Sequence, residues 1–395
     1  MKRNAPALEA ALSQLARMQL RRARATLEVS CGAGGVLRSG GRELVDFSSN
    51  DYLGLARHPA LAAALGACAA TRGVGSAASH LVSGHGTEHA RLEEELAAFT
   101  ARERALLFST GYMANLAVLA CLAGRGERVL LDRLSHASLI DGARLSGAHL
   151  KRYAHGDAAA AARAFEGDLA RTTLIATDGV FSMDGDLAPL PPLVSLARQH
   201  GAWLVVDDAH GLGVVGASGR GVLEHFGLDA ESVPVLIGTL GKAFGCFGAF
   251  VAGSADLIEY LIQKARPYIY TTALPQPVAA ATRAALALAQ KESWRRTRVA
   301  ALTARFRAAA LGAGLPLADS LTPIQPVLLG SAAAALAAQR ELAERGFWVV
   351  AIRPPTVPPR SARLRVTLSA AHSEAQVDRL VEALAQACLP RGAAA

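Results

Sequence analysis

The parts of this 395-residue chain that could do chemistry are five short segments, each carrying reactive or anion-binding side chains. Lys242 stands in Thr239-Leu-Gly-Lys242-Ala-Phe-Gly, among glycines and apolar residues with no acid beside it. A lysine desolvated in this way loses its preference for the charged form, and its free amine can condense with an aldehyde as a Schiff-base nucleophile. Asp207 and His210 lie in Val206-Asp207-Asp208-Ala-His210, which closes a continuously apolar run. In Ser109-Thr110-Gly111-Tyr112-Met-Ala-Asn115 the spacing predicts a strand-to-helix turn whose Gly111 and Tyr112 amides point at an anion. Leu134-Ser135-His136-Ala-Ser138 and Gly179-Val-Phe181-Ser182-Met-Asp184-Gly185 add a histidine and hydroxyls. Taken singly, these are a turn lysine, a capping acid and ordinary capped loops. Taken together, each just after an expected strand, they match the needs of pyridoxal 5′-phosphate (PLP): a lysine for its aldehyde, an acid for its ring nitrogen, a helix N-terminus and hydroxyls for its phosphate, and a ring to stack on its face.

The elements that must position these residues follow a strand and helix alternation. Helical signals cover 88–101, 111–123, 136–147, 157–168 and 189–200, and apolar runs cover 105–108, 128–132, 172–178 and 202–207. Trp203–Val206 and Val235–Ile237 are apolar without interruption, as strands buried on both faces must be. The expected fold class is therefore α/β, a mostly parallel sheet covered by helices. Val36–Val45 reads as a hairpin closing at Gly40-Gly41. Past Thr271 the alternation stops, and a helical region over 277–312 leads to a small α+β module with strands at 324–329, 347–352 and 363–368 and helices at 332–345 and from Ser373. The expected domains are an N-terminal segment 1–46, a large domain 47–288 and a small domain 289–395.

Composition narrows the function classes. Half of the residues (51%) are hydrophobic and 19% are charged, which excludes a disordered or collagenous chain. The net charge of +8 raises nucleic acid or lipid as a partner, but the basic runs at Arg21, Arg22, Arg24 and at Arg295, Arg296, Arg298 lack interleaved aromatics, so neither is expected. Cys31, Cys68, Cys121, Cys246 and Cys388 are odd in number and widely spaced, as reduced buried thiols of a cytoplasmic protein would be. The first 29 residues, with Leu8, Leu12, Leu15 and Leu20 at near-helical spacing, read as a docking helix rather than a signal peptide. Two familiar patterns are set aside. Gly211-Leu-Gly213-Val-Val-Gly216 fits a dinucleotide fingerprint, but Gly219 and Gly221 break the helix it needs. His85-Gly-Thr-Glu88-His89 fits a zinc pattern, but its glycines put His85 in a turn, and no metal is expected.

The sequence resembles the α-oxoamine synthases, fold-type I, aspartate aminotransferase-like PLP enzymes, over nearly its whole length. The resemblance rests on FSSNDYLGL (47–55), DRLSHASLIDGARLS (132–146), GVFSMDGDLAPL (179–190), VDDAHGLGV (206–214), GRG (219–221), GTLGKAFG (238–245), ADS (318–320), IQP (324–326), IRPPTVP (352–358) and ARLRVTLSAAH (362–372). It implies PLP carried as a covalent aldimine on Lys242, with Asp207 on the pyridine nitrogen and His136 stacked on the ring. It puts Ser182 and His210 near the phenolic oxygen or the substrate carbonyl, and Gly111, Tyr112 and Thr239 on the phosphate. Thr271 and Thr272 match residues that reach the neighbouring subunit's phosphate, which implies a homodimer with shared sites. Asn50 and Arg353 would fix the amino-acid carboxylate, Thr356 would lie beside the substrate, and Arg24 aligns near the acyl group. IRPPTVP and RLRVTLSAAH match the branch that condenses L-alanine with pimeloyl-CoA or its carrier-protein equivalent, with loss of CO2, to give 8-amino-7-oxononanoate for biotin. Other α-oxoamine synthases stay open as alternatives, namely glycine C-acetyltransferase, 5-aminolevulinate synthase and serine palmitoyltransferase, since one methyl group in a pocket discriminates by only about 1–3 kcal/mol. Outside the class, a basic nucleic-acid binder or a non-catalytic PLP sensor would carry the same charge or the same fold. Cys246 and Phe247 depart from the relatives' pattern and leave the acyl contacts unassigned.

Overall fold

The computed structural model of the chain describes residues 5–29, 35–165 and 171–389. It divides into two compact units, one formed by Asp51–Ser182 with Asp186–Thr297, the other by Met1–Asn50, Met183–Gly185 and Arg298–Ala395.

The first unit is built on seven strands: β1 (Arg104–Phe108), β2 (Glu127–Asp132), β3 (His149–Tyr153), β4 (Arg171–Asp178), β5 (Trp203–Asp207), β6 (Val235–Thr239) and β7 (Ala249–Gly253). Their order across the sheet is β1-β7-β6-β5-β4-β2-β3. All run parallel except β7, which is antiparallel to both β1 and β6. Val205, Val206, Val235, Ile237 and Val251 are fully buried, which is why these strands are continuously apolar rather than alternating. Because β1, β2, β4, β5 and β6 point the same way, Phe108, Asp132, Asp178, Asp207 and Thr239 end on one edge, the edge where open α/β sheets hold their ligands. Two helices start from that edge, α1 (Gly111–Leu122) after β1 and α2 (Ala137–Ser146) after β2.

The second unit pairs Val36–Ser39 with Arg42–Asp46 as a hairpin whose turn residues Gly40 and Gly41 both have positive φ. Val45 and Asp46 then pair in parallel with Phe347 and Trp348. A separate three-stranded sheet, Ile324–Gly330, Ala362–Thr367 and Val350–Ile352, packs against helices Ala332–Glu344 and Glu374–Cys388 around Phe306, Leu342, Leu364 and Leu380. The N-terminal segment read as separate thus lies in one unit with the C-terminal residues, because its hairpin is completed by a strand some three hundred positions away. The helical stretch expected over 277–312 is two helices, Gln276–Lys291 and Trp294–Gly312, and the unit boundary falls at 297/298 rather than 288/289.

The N-terminal helix forms over Ala5–Arg17, with Leu8, Leu12 and Leu15 exposed. No helix among the described residues is long and apolar enough to cross a membrane. Cys68, Cys121, Cys246 and Cys388 are free thiols, half-buried rather than buried, and Cys31 lies outside the described residues.

His372 ties the second unit together. Its Nδ1 accepts from the Ser369 amide at 3.1 Å, its Nε2 donates to the Asp46 carbonyl at 2.9 Å, and its ring lies 4.0 Å from that of Phe47. Burial, helped by the Arg298 charge and opposed by the Asp46 carbonyl, pushes its pKa down to about 4, so it folds neutral. Its contribution to stability is whole above about pH 6.5, its unfolded pKa, and is lost as pH falls towards 4, on the order of 2–3 kcal/mol by pH 4.5. Urea midpoints at pH 7.5 and 4.5 check this: the drop should be smaller in His372→Asn than in wild type, and equal drops would show that His372 is not responsible.

Candidate active site

Asp207 ends β5 nearly buried. Its Oδ1 accepts from the Ala209 amide at 3.1 Å and its Oδ2 from the Asn115 side-chain amide at 2.6 Å. Asn115 is a polar residue within the otherwise apolar helix α1, one turn from its start. The same amide nitrogen donates to Ser138 Oγ at 2.8 Å, and Ser138 Oγ lies 2.7 Å from His136 Nδ1. His136 Nδ1 also accepts from the Ser138 backbone amide at 3.3 Å, so that nitrogen carries no proton, and the Ser138 hydroxyl, which accepts from the Asn115 NH2, donates its own proton to it. The imidazole is thereby neutral, with its proton on Nε2. Its pKa is also lowered, by burial first, with Lys242 reinforcing and Asp207 opposing. The His136 amide donates to Asp178 Oδ2 at 2.9 Å, which fixes the turn that caps α2. Asp178 is buried beside Asp207, and both conditions raise its pKa well above the carboxylate range. Both favour the protonated form of Asp178.

Lys242 follows β6 in a glycine-flanked turn, half-buried rather than sealed from water. Its Nζ lies 2.8 Å from His210 Nε2, and His210 Nδ1 lies 2.7 Å from the hydroxyl of Tyr52. Both nitrogens of His210 are thus occupied, and its ring is fixed between the amine and a fully buried phenol. The charges of Lys242 and Asp207 are both felt at His136 and at Asp178, which puts the amine and the acid at one locality.

The anion end is α1. Thr110 caps it by accepting from the Met113 amide at 3.2 Å, while the Gly111 and Tyr112 amides meet no acceptor among the described residues. A Cβ placed on Gly111 would have no atom within 4 Å, so the approach is open. Thr239 Oγ1 donates to the Gly248 carbonyl at 3.2 Å and accepts from the Gly241 amide at 3.3 Å, so it must rotate before it can donate to an anion. The Tyr112 hydroxyl is turned to Asp141. Ser182 lies in a hairpin pinned by the Val180 and Leu187 bridge. Thr272 bridges to Ser79, and Thr271 is half-buried beside it. This donor set, an amine, a carboxylate, a neutral imidazole and open helix-terminal amides, fits PLP.

In the second unit, Arg353 donates to the backbone carbonyls of Gln19 and Arg21, and Asn50 Oδ1 accepts from Arg365 at 3.1 Å. Thr356 Oγ1 accepts from Arg22 at 2.8 Å. Arg24 is exposed, and it is Arg22, two residues earlier, that reaches the Thr356 turn.

The two patterns set aside have structural explanations. A Cβ on Gly211, Gly221 or Gly179 would come within 2.0, 1.7 or 2.8 Å of an Asp208 carboxyl oxygen, so these glycines make room for that acid. Asp208 is fully buried, and burial above all raises its pKa well above the carboxylate range. The segment 211–216 leads into turns, with no helix before Val222–Phe226. His80, His85 and His89 bring ring nitrogens within 4.8 Å of one another. His89, however, accepts from the Gly86 amide at 2.9 Å through Nδ1 and meets the Leu274 carbonyl at 2.5 Å through Nε2, so neither of its nitrogens is left for a metal while these bonds stand.

Sequence reading gave no role to Tyr52, Asn115, Ser138 or Asp178. Asn115 carried a usable signal, because a lone amide in an apolar helix needs a partner. The pairing of Tyr52 with His210, 158 positions apart, carried none.

Residues 42–384 match the family model described as aminotransferase class I and II. The 8-amino-7-oxononanoate synthase of Methylococcus capsulatus is 62% identical over 347 residues, 88% of this chain and 90% of that protein. That of Pseudomonas aeruginosa is 62% identical over 346 residues, 88% and 86% of the two chains. Among solved structures, the serine palmitoyltransferase of S. paucimobilis, with a PLP–myriocin aldimine bound, superposes with TM-score 0.90 at 28% identity over 98% of each chain. The 8-amino-7-oxononanoate synthase of Francisella tularensis does so with TM-score 0.77 at 32% identity, over 87% of this chain and 97% of that one.

Proposed function

The chain belongs to the class I and II aminotransferase family and, within it, to the 8-amino-7-oxononanoate synthases, and we propose that it condenses L-alanine with pimeloyl-CoA, or the pimeloyl carrier-protein thioester, using PLP held by Lys242. The single observation that carries the reading is the placing of the Lys242 amine, 2.8 Å from His210, on the same sheet edge as Asp207. When bound, PLP supplies an aldehyde that links covalently to an amine and a ring that accepts electrons from bonds broken at Cα.

In this reading the Gly111 and Tyr112 amides and the Thr239 hydroxyl hold the phosphate, His136 covers the ring face, and Ser182 and His210 lie near the phenolic oxygen or the substrate carbonyl. Asp207 holds a proton on the ring nitrogen. Asn50 and Arg353 take the carboxylate of alanine, the latter giving up its carbonyl partners in the N-terminal arm. The Lys242 amine removes the Cα proton and later returns one, and His210 steadies that amine through Nε2. The neutral His136, with its proton on Nε2, can polarise the thioester carbonyl.

A homodimer with shared sites belongs to the same proposal. Leu81, Val82 and Tyr270 are exposed around the Ser79 and Thr272 bridge, an apolar surface of the kind a partner covers. It would bring Thr271 and Thr272 of one copy to the phosphate of the other.

The test is a panel of amino acids and acyl-CoAs scored for CoA release. L-Alanine with pimeloyl-CoA should give the highest kcat/KM. Preference for glycine with acetyl-CoA, or serine with palmitoyl-CoA, would contradict the substrate assignment.

A further inference from the structure

Away from the lysine, a second histidine is held in a way that no role above uses. His155 follows β3, with its Nδ1 3.0 Å from Asp132 Oδ1 and its Nε2 2.9 Å from Asp186 Oδ2. Both ring nitrogens face carboxylates, which only accept, so both must carry protons and the ring is a cation. Burial alone would lower its pKa, but the hydrogen bonds and charges of the two acids outweigh that and raise it to about 10. The edge of the ring packs against Phe181 with centroids 4.4 Å apart and planes at 90°.

Each acid belongs to a turn that serves the site. Asp132, fully buried at the end of β2, accepts from the Leu134 amide through Oδ1 at 2.8 Å and from the Gly156 amide through Oδ2 at 2.9 Å. Its backbone carbonyl accepts from the Ser135 amide at 3.2 Å, so it shapes the turn that delivers His136. Asp186 closes the hairpin that delivers Ser182, with its carbonyl accepting from the Phe181 amide at 3.0 Å. We infer that His155 is a positioning residue for the reaction, a doubly paired cation that fastens the His136 turn to the Ser182 hairpin. The inference rests on the functional reading for what those two residues do. It adds that their spacing is set by one imidazolium, and that a neutral replacement would let the turns move apart while leaving Asp132 a buried charge without its counterion.

The test compares wild type, His155→Gln and His155→Gln/Asp186→Asn as PLP-loaded enzymes, with Asp186→Asn carrying the comparison should His155→Gln not fold. Glutamine can bond one acid but supplies no cation and cannot bridge two. In His155→Gln, kcat should fall about tenfold to a hundredfold, the scale of a misplaced site group, with KM for L-alanine within about twofold. The visible circular dichroism of the bound cofactor should weaken. In the protein without PLP, the Leu134 and Phe181 amides should exchange with deuterium about tenfold faster or more. Adding Asp186→Asn should recover part of the kcat, because a neutral Gln and Asn pair can re-form the bond between the turns. Unchanged kcat, dichroism and exchange in the variants, whatever their melting temperatures, would overturn the inference alone. A wild type that shows no cofactor band would overturn the functional reading, and this inference with it.

Discussion

Lys242→Ala should lower the rate of CoA release by about 10⁴-fold or more, because the proposed function requires one amine both as the covalent anchor and as the base that moves the Cα proton. The variant should still fold. Lys242 is half-buried on a turn outside the main core cluster, so its truncation leaves no large cavity. PLP should still bind through its phosphate at α1, but borohydride should fix none of it to the protein. The His210 ring should stay in place, since its Nδ1 keeps the Tyr52 hydroxyl at 2.7 Å. A loss smaller than tenfold would place the base elsewhere, with His210 as the first candidate.

The second large effect is expected at Asp207. Asp207→Asn preserves shape: its one oxygen can still accept from the Ala209 amide, and its NH2 can meet Asn115 if that side-chain amide flips to present its oxygen. What it removes is the negative charge that, in the proposed function, holds a proton on the ring nitrogen and so keeps the ring electron-withdrawing. The expected cost is about 10³-fold in kcat, the scale for one preorganised electrostatic group, with cofactor retained and Asp207→Glu intermediate. The same substitution takes away the charge that raises the pKa of Asp178. Steady-state kinetics on PLP-saturated protein checks this, and a kcat within tenfold of wild type would contradict the assignment.

Much of this site was legible before any coordinates, for a physical reason. Parallel strands buried on both faces must be continuously apolar, so their ends are easy to find, and the glycines, hydroxyls and charged residues that follow Phe108, Asp132, Asp178, Val206 and Thr239 stand out against them. What periodicity does not carry is partnership between distant segments. The strand His149–Tyr153 pairs only with β2 at the sheet edge, and its polar sequence HLKRY hid it. Strand Ala249–Gly253 was hidden inside a longer, weakly charged stretch. The joining of residues 1–50 to the C-terminal unit rests on Val45 and Asp46 meeting Phe347 and Trp348. The Asn115, Ser138 and His136 chain, which bears on the tautomer of His136, depends on two helices from different strands meeting. Only the family resemblance pointed to Arg353 and Asn50 as proposed carboxylate partners, and in the structure Arg353 is engaged by carbonyls of the N-terminal arm.

The chain has five lysines, Lys2, Lys151, Lys242, Lys264 and Lys291, which makes the anchoring site decidable in one measurement. Protein saturated with PLP, reduced with borohydride, digested and mapped by mass spectrometry should carry a single pyridoxyl group on the peptide containing Lys242. A pyridoxyl group on any of the other four, or on none, would contradict the account at its root.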